Sequence, residues 1–178
     1  MKGNVPLIVA AAVLFATTAS AENWSGFYAG ASLGHVSGKN SYVFDGGTDD
    51  YDLESGGFGG IHAGYRWDFG ANVVGAELSY SRLTTREQDW PDYRYDGLLD
   101  LKVSLGYELL SPSSLVYLNL GASTIRYDWP GDSLNARGPL IGIGYVHAIT
   151  DRLSVGAEMN YRRLKNDSSG IEGANEFI

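Results

Sequence analysis

Apolar residues recur at every second position in one segment after another along this chain. The first such segment runs from Trp24 to His35. Phe27, Ala29, Ala31 and Leu33 share one face, and Tyr28, Gly30, Ser32 and Gly34 share the other. A period of two belongs to a strand, because a helix would repeat every 3.6 residues. Six more segments follow. Gly57 to Asp68 sets Ile61, Ala63, Tyr65 and Trp67 against Gly60, His62, Gly64 and Arg66. The third sets Val74, Ala76, Leu78 and Tyr80 against Gly75, Glu77, Ser79 and Ser81. The fourth is the most regular, with Leu99, Leu101, Val103, Leu105, Tyr107 and Leu109 opposed by Asp100, Lys102, Ser104, Gly106 and Glu108. The fifth has Val116, Leu118, Leu120 and Ala122 against Tyr117, Asn119, Gly121 and Ser123. In the sixth, Ile141, Ile143 and Tyr145 oppose Gly142, Gly144 and Val146. The seventh sets Leu153, Val155, Ala157, Met159 and Tyr161 against Ser154, Gly156, Glu158, Asn160 and Arg162. Seven strands of one pattern predict an all-β, antiparallel, up-and-down sheet that rolls into a cylinder.

The connections alternate in length. Phe69 to Asn72, Ser111 to Ser114 and Thr150 to Arg152 are tight turns by composition. The others are long: Val36 to Gly56, Thr84 to Asp96, Arg126 to Arg137, and a fourth starting near Arg163. Short turns at one end and long loops at the other suit a transmembrane barrel. So does the polar face. A soluble barrel shows long polar side chains to water, whereas Gly, Ser, Asn and isolated charges of both signs suit a cramped polar lumen. Aromatics gather at strand ends, with Trp24, Tyr65, Trp67, Tyr107 and Tyr145 at one rim and Tyr80, Tyr127 and Tyr161 near the other. Tyr and Trp favour membrane–water interfaces. The 24 glycines, 12 tyrosines and 4 tryptophans fit the same picture. A soluble, lipocalin-like binder is the inside-out rival.

The N-terminus is a separate segment. Lys2 supplies a positive start, Val5 to Ala16 is apolar, and Ala19-Ser20-Ala21 matches a cleavage signal. The expected organisation is a signal peptide over residues 1–21 and a barrel domain over 22–178. Setting aside Lys2 leaves 12 basic against 21 acidic residues, a net charge of −9. An acidic chain with no basic stripe is no nucleic-acid binder. Without cysteine there is no disulfide framework and no thiol chemistry.

The sequence resembles a known family at W-S-G-F-Y-A-G-A-S-L-G (Trp24–Gly34), A-G-Y-R-W (Ala63–Trp67) and V-G-A-E-L-S-Y (Val74–Tyr80). The likeness continues through L-G-Y (Leu105–Tyr107), I-G-I-G-Y (Ile141–Tyr145), T-D-R (Thr150–Arg152) and A-E-M-N-Y-R (Ala157–Arg162). These resemble the small outer-membrane β-barrel family, which includes domains similar to outer-membrane protein A and Gram-negative surface-antigen barrels. The resemblance implies eight strands, no cofactor and no catalytic centre. It also implies outer-membrane lipids and lipopolysaccharide as surroundings, and roles in envelope integrity, surface antigenicity or adhesion. Slow pores occur in the family, so a small-solute channel is the alternative function. The N-terminus would lie in the periplasm and the long loops outside, where they could meet an extracellular partner.

On that reading Arg66, Glu77, Asp100, Lys102, Glu108, Glu158 and Arg162 face a lumen that side chains just fill. Charges there should pair, with Glu77 at the centre of a cluster including Lys102, Arg66 and Glu158. A gate built on a rearranging pair is the sharper alternative. His35 and Ser37, with Asp52 or Glu54 as the acid, are the only candidates for a lipid-modifying enzyme, and nothing in the spacing brings them together. His62 should be a packed lumen residue and His147 an interfacial one. Three scattered histidines make no metal site. The acidic run Asp45, Asp49, Asp50, Asp52 and Glu54 fails the calcium-loop pattern and predicts a solvated loop, with divalent bridging to lipopolysaccharide as the alternative. Trp90, Tyr93, Tyr95 and Trp129 are expected in the upper aromatic girdle, or else in an adhesive patch. No catalytic, cofactor or metal residue is assigned.

The C-terminus departs from the pattern. An antiparallel closed ring needs an even strand count, so Ile171 to Ile178 must supply strand eight. That is shorter than the roughly 9–11 residues a spanning strand needs. The chain is expected to stop inside its eighth strand, which would pair partly with strand one or seven and leave a seam at the periplasmic end.

Overall fold

A computed structural model describes residues 11–17, 23–44, 47–52, 56–84, 94–109, 111–129, 132–166 and 173–177. Among these there is no helix. Eleven strands form one sheet: β1 (Ala11–Thr17), β2 (Gly26–Val36), β3 (Gly38–Phe44), β4 (Gly47–Asp52), β5 (Gly56–Asp68), β6 (Asn72–Leu83), β7 (Arg94–Glu108), β8 (Ser114–Trp129), β9 (Asp132–Thr150), β10 (Leu153–Asn166) and β11 (Gly173–Phe177). All pairings are antiparallel, and β2, β5, β6, β7, β8, β9 and β10 follow one another up and down as the seven expected long strands. The eighth position of the ring is filled by pieces. β11 pairs with β10 on one side and with β3 on the other, and β1 pairs with both β10 and β2. The short C-terminal strand therefore meets both expected neighbours, since β3 continues the line of β2.

The pleat decides which side is inside. On β7, Leu99, Leu101, Val103, Leu105 and Tyr107 are 45–60% exposed, while Asp100 and Lys102 are 3% and 5% exposed. The other strands repeat this, with Phe27, Ile61, Leu78, Leu118, Leu120, Ile141 and Ile143 outward. In water such a surface would be untenable, because contiguous apolar patches beyond a few hundred Å² are rare on soluble monomers. Facing lipid it is what a transmembrane barrel requires. Phe27, Tyr65 and Trp67 stack in series on this surface near the short-turn end, with ring centroids 4.7 and 4.8 Å apart.

Three expectations are corrected. The Val36–Gly56 connection is a hairpin for most of its length, with β3 and β4 paired up to Phe44 opposite Gly47. The Arg126–Arg137 connection is also mostly strand, because β8 and β9 stay paired as far as Trp129 opposite Asp132. Backbone groups that would otherwise need water pair across the ladder instead. Trp24, expected at the lipid rim, is buried, and its Nε1 donates to the Pro112 carbonyl at 2.9 Å. An indole that finds a carbonyl partner inside can leave the interface. Asp45, Glu54, Trp90 and Tyr93 lie outside the described residues.

The short turns match the sequence. Gly70 takes φ +84°, a left-handed conformation that a side chain would strain, and the Phe69 N–H donates to the Asn72 carbonyl at 2.8 Å. Thr150 Oγ1 accepts from the Leu153 N–H at 3.0 Å.

Candidate functional site

The inward face is layered along the barrel axis. At the short-turn end Trp24, Tyr28, Val73, Leu115, Tyr117 and Val146 form one apolar cluster. At the other end Val36, Leu83, Leu98, Ile125, Ala136 and Leu164 form a second. The charged residues belong to the same inward-facing rows, between these clusters in sequence. Each strand supplies its share by parity alone. Leu98, Asp100 and Lys102 are successive inward positions of β7, as are Tyr117, Asn119, Gly121, Ser123 and Ile125 on β8.

Lys102 is the hub of the charged layer. Its Nζ lies 2.7 Å from Glu77 Oε1 and 2.6 Å from Glu158 Oε1. Register explains the first contact, since Glu77 and Lys102 are direct cross-strand partners. The second spans the bore. Each carboxylate then receives further donors. The Tyr28 hydroxyl donates to Glu77 at 2.9 Å. Glu158 accepts from the Tyr117 hydroxyl at 3.0 Å and from the Asn119 and Asn160 amides at 2.9 and 2.6 Å. A buried ion pair offsets its desolvation only with further hydrogen bonds to its charged groups, and here both carboxylates receive them. A separate pair crosses the bore beside it. Arg162 Nη2 and Nε donate to the two Asp100 oxygens at 2.7 and 3.2 Å, the two-pronged geometry that guanidinium favours.

The expected cluster around Glu77 is therefore present with Lys102 and Glu158. Arg66 lines the same space and also lies over rings, 4.2 Å from the Tyr28 centroid and 5.5 Å from that of Trp24. His62 is buried, with its ring 6.2 Å from Tyr28. Glu108 is half-buried on the last residue of β7, beside the short turn. The space left between Tyr28, Arg66, Glu77, Lys102 and Tyr117 is about 10 Å³, enough for a single water.

His35 is exposed and Ser37 buried, and among the described residues no hydrogen bond joins them. Asp52 lies on β4, and Glu54 is outside the described residues. Among the described residues no group of His, Asp and Glu is placed to hold a metal. His147 is exposed near the short turns, and its Nδ1 lies 3.0 Å from Ser114 Oγ, which also lies 3.2 Å from the Tyr145 hydroxyl. That contact follows from the direct pairing of Ser114 with His147 across β8 and β9. A sequence pass that begins strand five at Val116 does not reach it. The apolar layer at the long-connection end was missed in the same way. Extending each inward-facing row by one or two more alternate positions would have reached Leu83, Leu98, Ile125 and Leu164.

Neither the curated proteins nor the solved structures contain a match to this chain. The family model for the outer membrane protein beta-barrel domain matches residues 7–177, nearly the whole sequence. With its outward apolar band, its filled polar core and that match, the chain belongs to the outer membrane protein β-barrel family.

Proposed function

We propose that this outer-membrane barrel is a non-conducting envelope protein with a structural or surface-interacting role, in envelope integrity, as a surface antigen or in adhesion. The short turns would face the periplasm and the longer connections the exterior. One observation carries this reading: among the described residues the bore holds a charge network with an apolar cluster toward each end. Water would have to break Lys102–Glu77, Lys102–Glu158 and Asp100–Arg162 and also part an apolar cluster. An eight-stranded barrel has no spare diameter to route around them. The outward faces of Phe27, Leu101, Leu120 and Ile141 meet outer-membrane lipid, and the ends of the barrel meet lipopolysaccharide. An extracellular partner would be met by the long-connection end, where paired strands extend beyond the ring.

Planar-bilayer recording of the purified barrel tests the proposal. The expected trace is closed, or has rare small openings. Stable conductance of porin size would refute it and favour the channel. Mass analysis of lipid A from cells with and without the protein is expected to show identical species. A lost or gained acyl chain would revive the enzyme built on His35 and Ser37.

A further inference from the structure

The outward face changes character toward the long-connection end. Its middle carries Leu78, Leu99, Leu101 and Leu120, all exposed and apolar. Further along the same outward rows stand Arg82 on β6, Arg126 on β8 and Arg137 on β9, all exposed. Among the described residues, Arg163 is also exposed at this end and Arg152 at the short-turn end.

Register brings two of these arginines into one row. Arg82 pairs with Gly97, and Gly97 with Arg126. One strand therefore separates them, a spacing of about 10 Å at two interstrand steps. Arg137 is diagonal to Arg126, since Arg126 pairs with Asn135 and Arg137 with Thr124. Long side chains reach across such a diagonal. The residue between Arg82 and Arg126 has no side chain, and Tyr80 takes the space. A Cβ added to Gly97 would lie 2.7 Å from the Tyr80 hydroxyl and 2.9 Å from its ring. Tyr80 itself pairs with Leu99, one outward position nearer the middle of the sheet. Its ring therefore leans along the diagonal and sets its hydroxyl between the two arginines. Covering a glycine with an aromatic ring is a packing device that Phe would serve equally. The hydroxyl is what packing does not require.

Guanidinium groups hold phosphate oxygens through charge-assisted hydrogen bonds. Each has five N–H donors, so a contact within the chain leaves others for a ligand. The phenol adds a donor between them, and the leucines beside them suit acyl chains. A matching ligand carries two phosphates on its headgroup and apolar chains below. We propose that Arg82, the Tyr80 hydroxyl, Arg126 and Arg137 bind the bis-phosphorylated disaccharide of lipopolysaccharide, with its acyl chains lying on Leu78, Leu99 and Leu101. The site deepens the function proposed above and rests on its orientation, with the long connections outside.

Native mass spectrometry of the barrel in zwitterionic detergent, with bis-phosphorylated lipid A added, tests the site. Heat-modifiable migration first shows that each variant is folded. The parent is expected to hold one lipid A, at least about tenfold more tightly than phosphatidylglycerol or cardiolipin. Arg82→Gln combined with Arg126→Gln should weaken binding at least about tenfold. Tyr80→Phe, which keeps the ring over Gly97, should weaken it about three- to tenfold. Arg152→Gln, at the opposite end, should leave it unchanged. Undiminished binding in the arginine or tyrosine variants would overturn the inference. So would an equal loss in Arg152→Gln, or phosphatidylglycerol or cardiolipin held as tightly as lipid A. Binding in micelles does not depend on orientation, which is read separately by labelling Thr84→Cys on intact cells with a membrane-impermeant maleimide. Failure to label while lipid A still binds in micelles would overturn the orientation and not the phosphate site.

Discussion

Replacing Lys102 with methionine removes the ammonium that bridges Glu77 and Glu158. Methionine keeps most of the side-chain volume, so the loss is electrostatic. The two carboxylates now sit near Lys102 Nζ on arms of 2.7 and 2.6 Å, leaving their nearest oxygens no more than about 5 Å apart. At that separation and an effective dielectric constant near 20, their mutual repulsion is about 3 kcal/mol. Each also loses a charge-assisted hydrogen bond, and breaking a buried ion pair from one side costs about 3–5 kcal/mol in all. Hydrogen bonds from Tyr28, Tyr117, Asn119 and Asn160 remain and hold the total within that range. Urea titration of the barrel in lipid vesicles, followed by heat-modifiable migration on cold gels, measures the loss. The network makes a second demand. Glu77→Gln on its own leaves Lys102 paired with Glu158 and should cost less than Lys102→Met. Combining the two removes the repulsion, so the double variant should be more stable than Lys102→Met alone by about 2–3 kcal/mol. Purely additive losses, or a Lys102→Met barrel within about 1 kcal/mol of the parent, would show that water screens the site and that the lumen is not filled.

The remaining predictions concern other layers of the same architecture. Arg162→Ala leaves the Asp100 carboxylate buried without its two-pronged donor and should lower stability by about 3–5 kcal/mol in the same titration. At Gly144 an added Cβ would collide with the Tyr117 ring, so Gly144→Ala should cost about 1–3 kcal/mol, and less when combined with Tyr117→Leu. Leu101→Lys, on the outward face near mid-strand, should cost about 2–4 kcal/mol in vesicles, a penalty a water-facing surface would not impose.

Much of this was legible in the sequence because a strand displays its two faces as alternate letters. The face assignments of Phe27 through Leu33, Leu99 through Leu109 and Leu153 through Tyr161 carried the inside-out barrel, and cross-strand proximity then implied that Glu77, Lys102 and Glu158 would pair. What stayed hidden has physical causes. Strand ends were set where the outward row ceased to be apolar, yet pairing continues as long as two backbones can trade hydrogen bonds. The loop expected over Arg126 to Arg137 therefore covers the end of β8 and the first residues of β9, from Asp132 onward. Trp24 carries a ring that suits an interface equally well, and only the position of the Pro112 carbonyl draws it inside. Charge placed Arg66 beside Glu77 and Lys102, and what the letters do not announce is that its guanidinium also lies over the Tyr28 and Trp24 rings. The Val5–Ala16 run reads equally as a leader core and as a strand, because short apolar segments lack the length that separates one from the other. The pairing of Ala11–Thr17 with both β2 and β10 depends on the space between those two strands, which no local pattern announces.

The central claim is that apolar side chains face lipid and a filled charged core lies within. Site-directed spin labelling along β7 tests it most directly, because the chain has no cysteine to interfere. Single cysteines at Leu99, Leu101, Val103, Leu105 and the inward Ser104 would each carry a label in vesicles. Collision with oxygen, which concentrates in the bilayer, and with a water-soluble nickel chelate would then be compared. The expected result is high oxygen and low nickel accessibility at all four outward positions, peaking toward mid-strand, and low accessibility to both reagents at Ser104. Nickel access at Leu101 and Val103, or at Ser104, would contradict the account: the first would put the apolar face in water, and the second would put an open aqueous channel where the filled lumen should be.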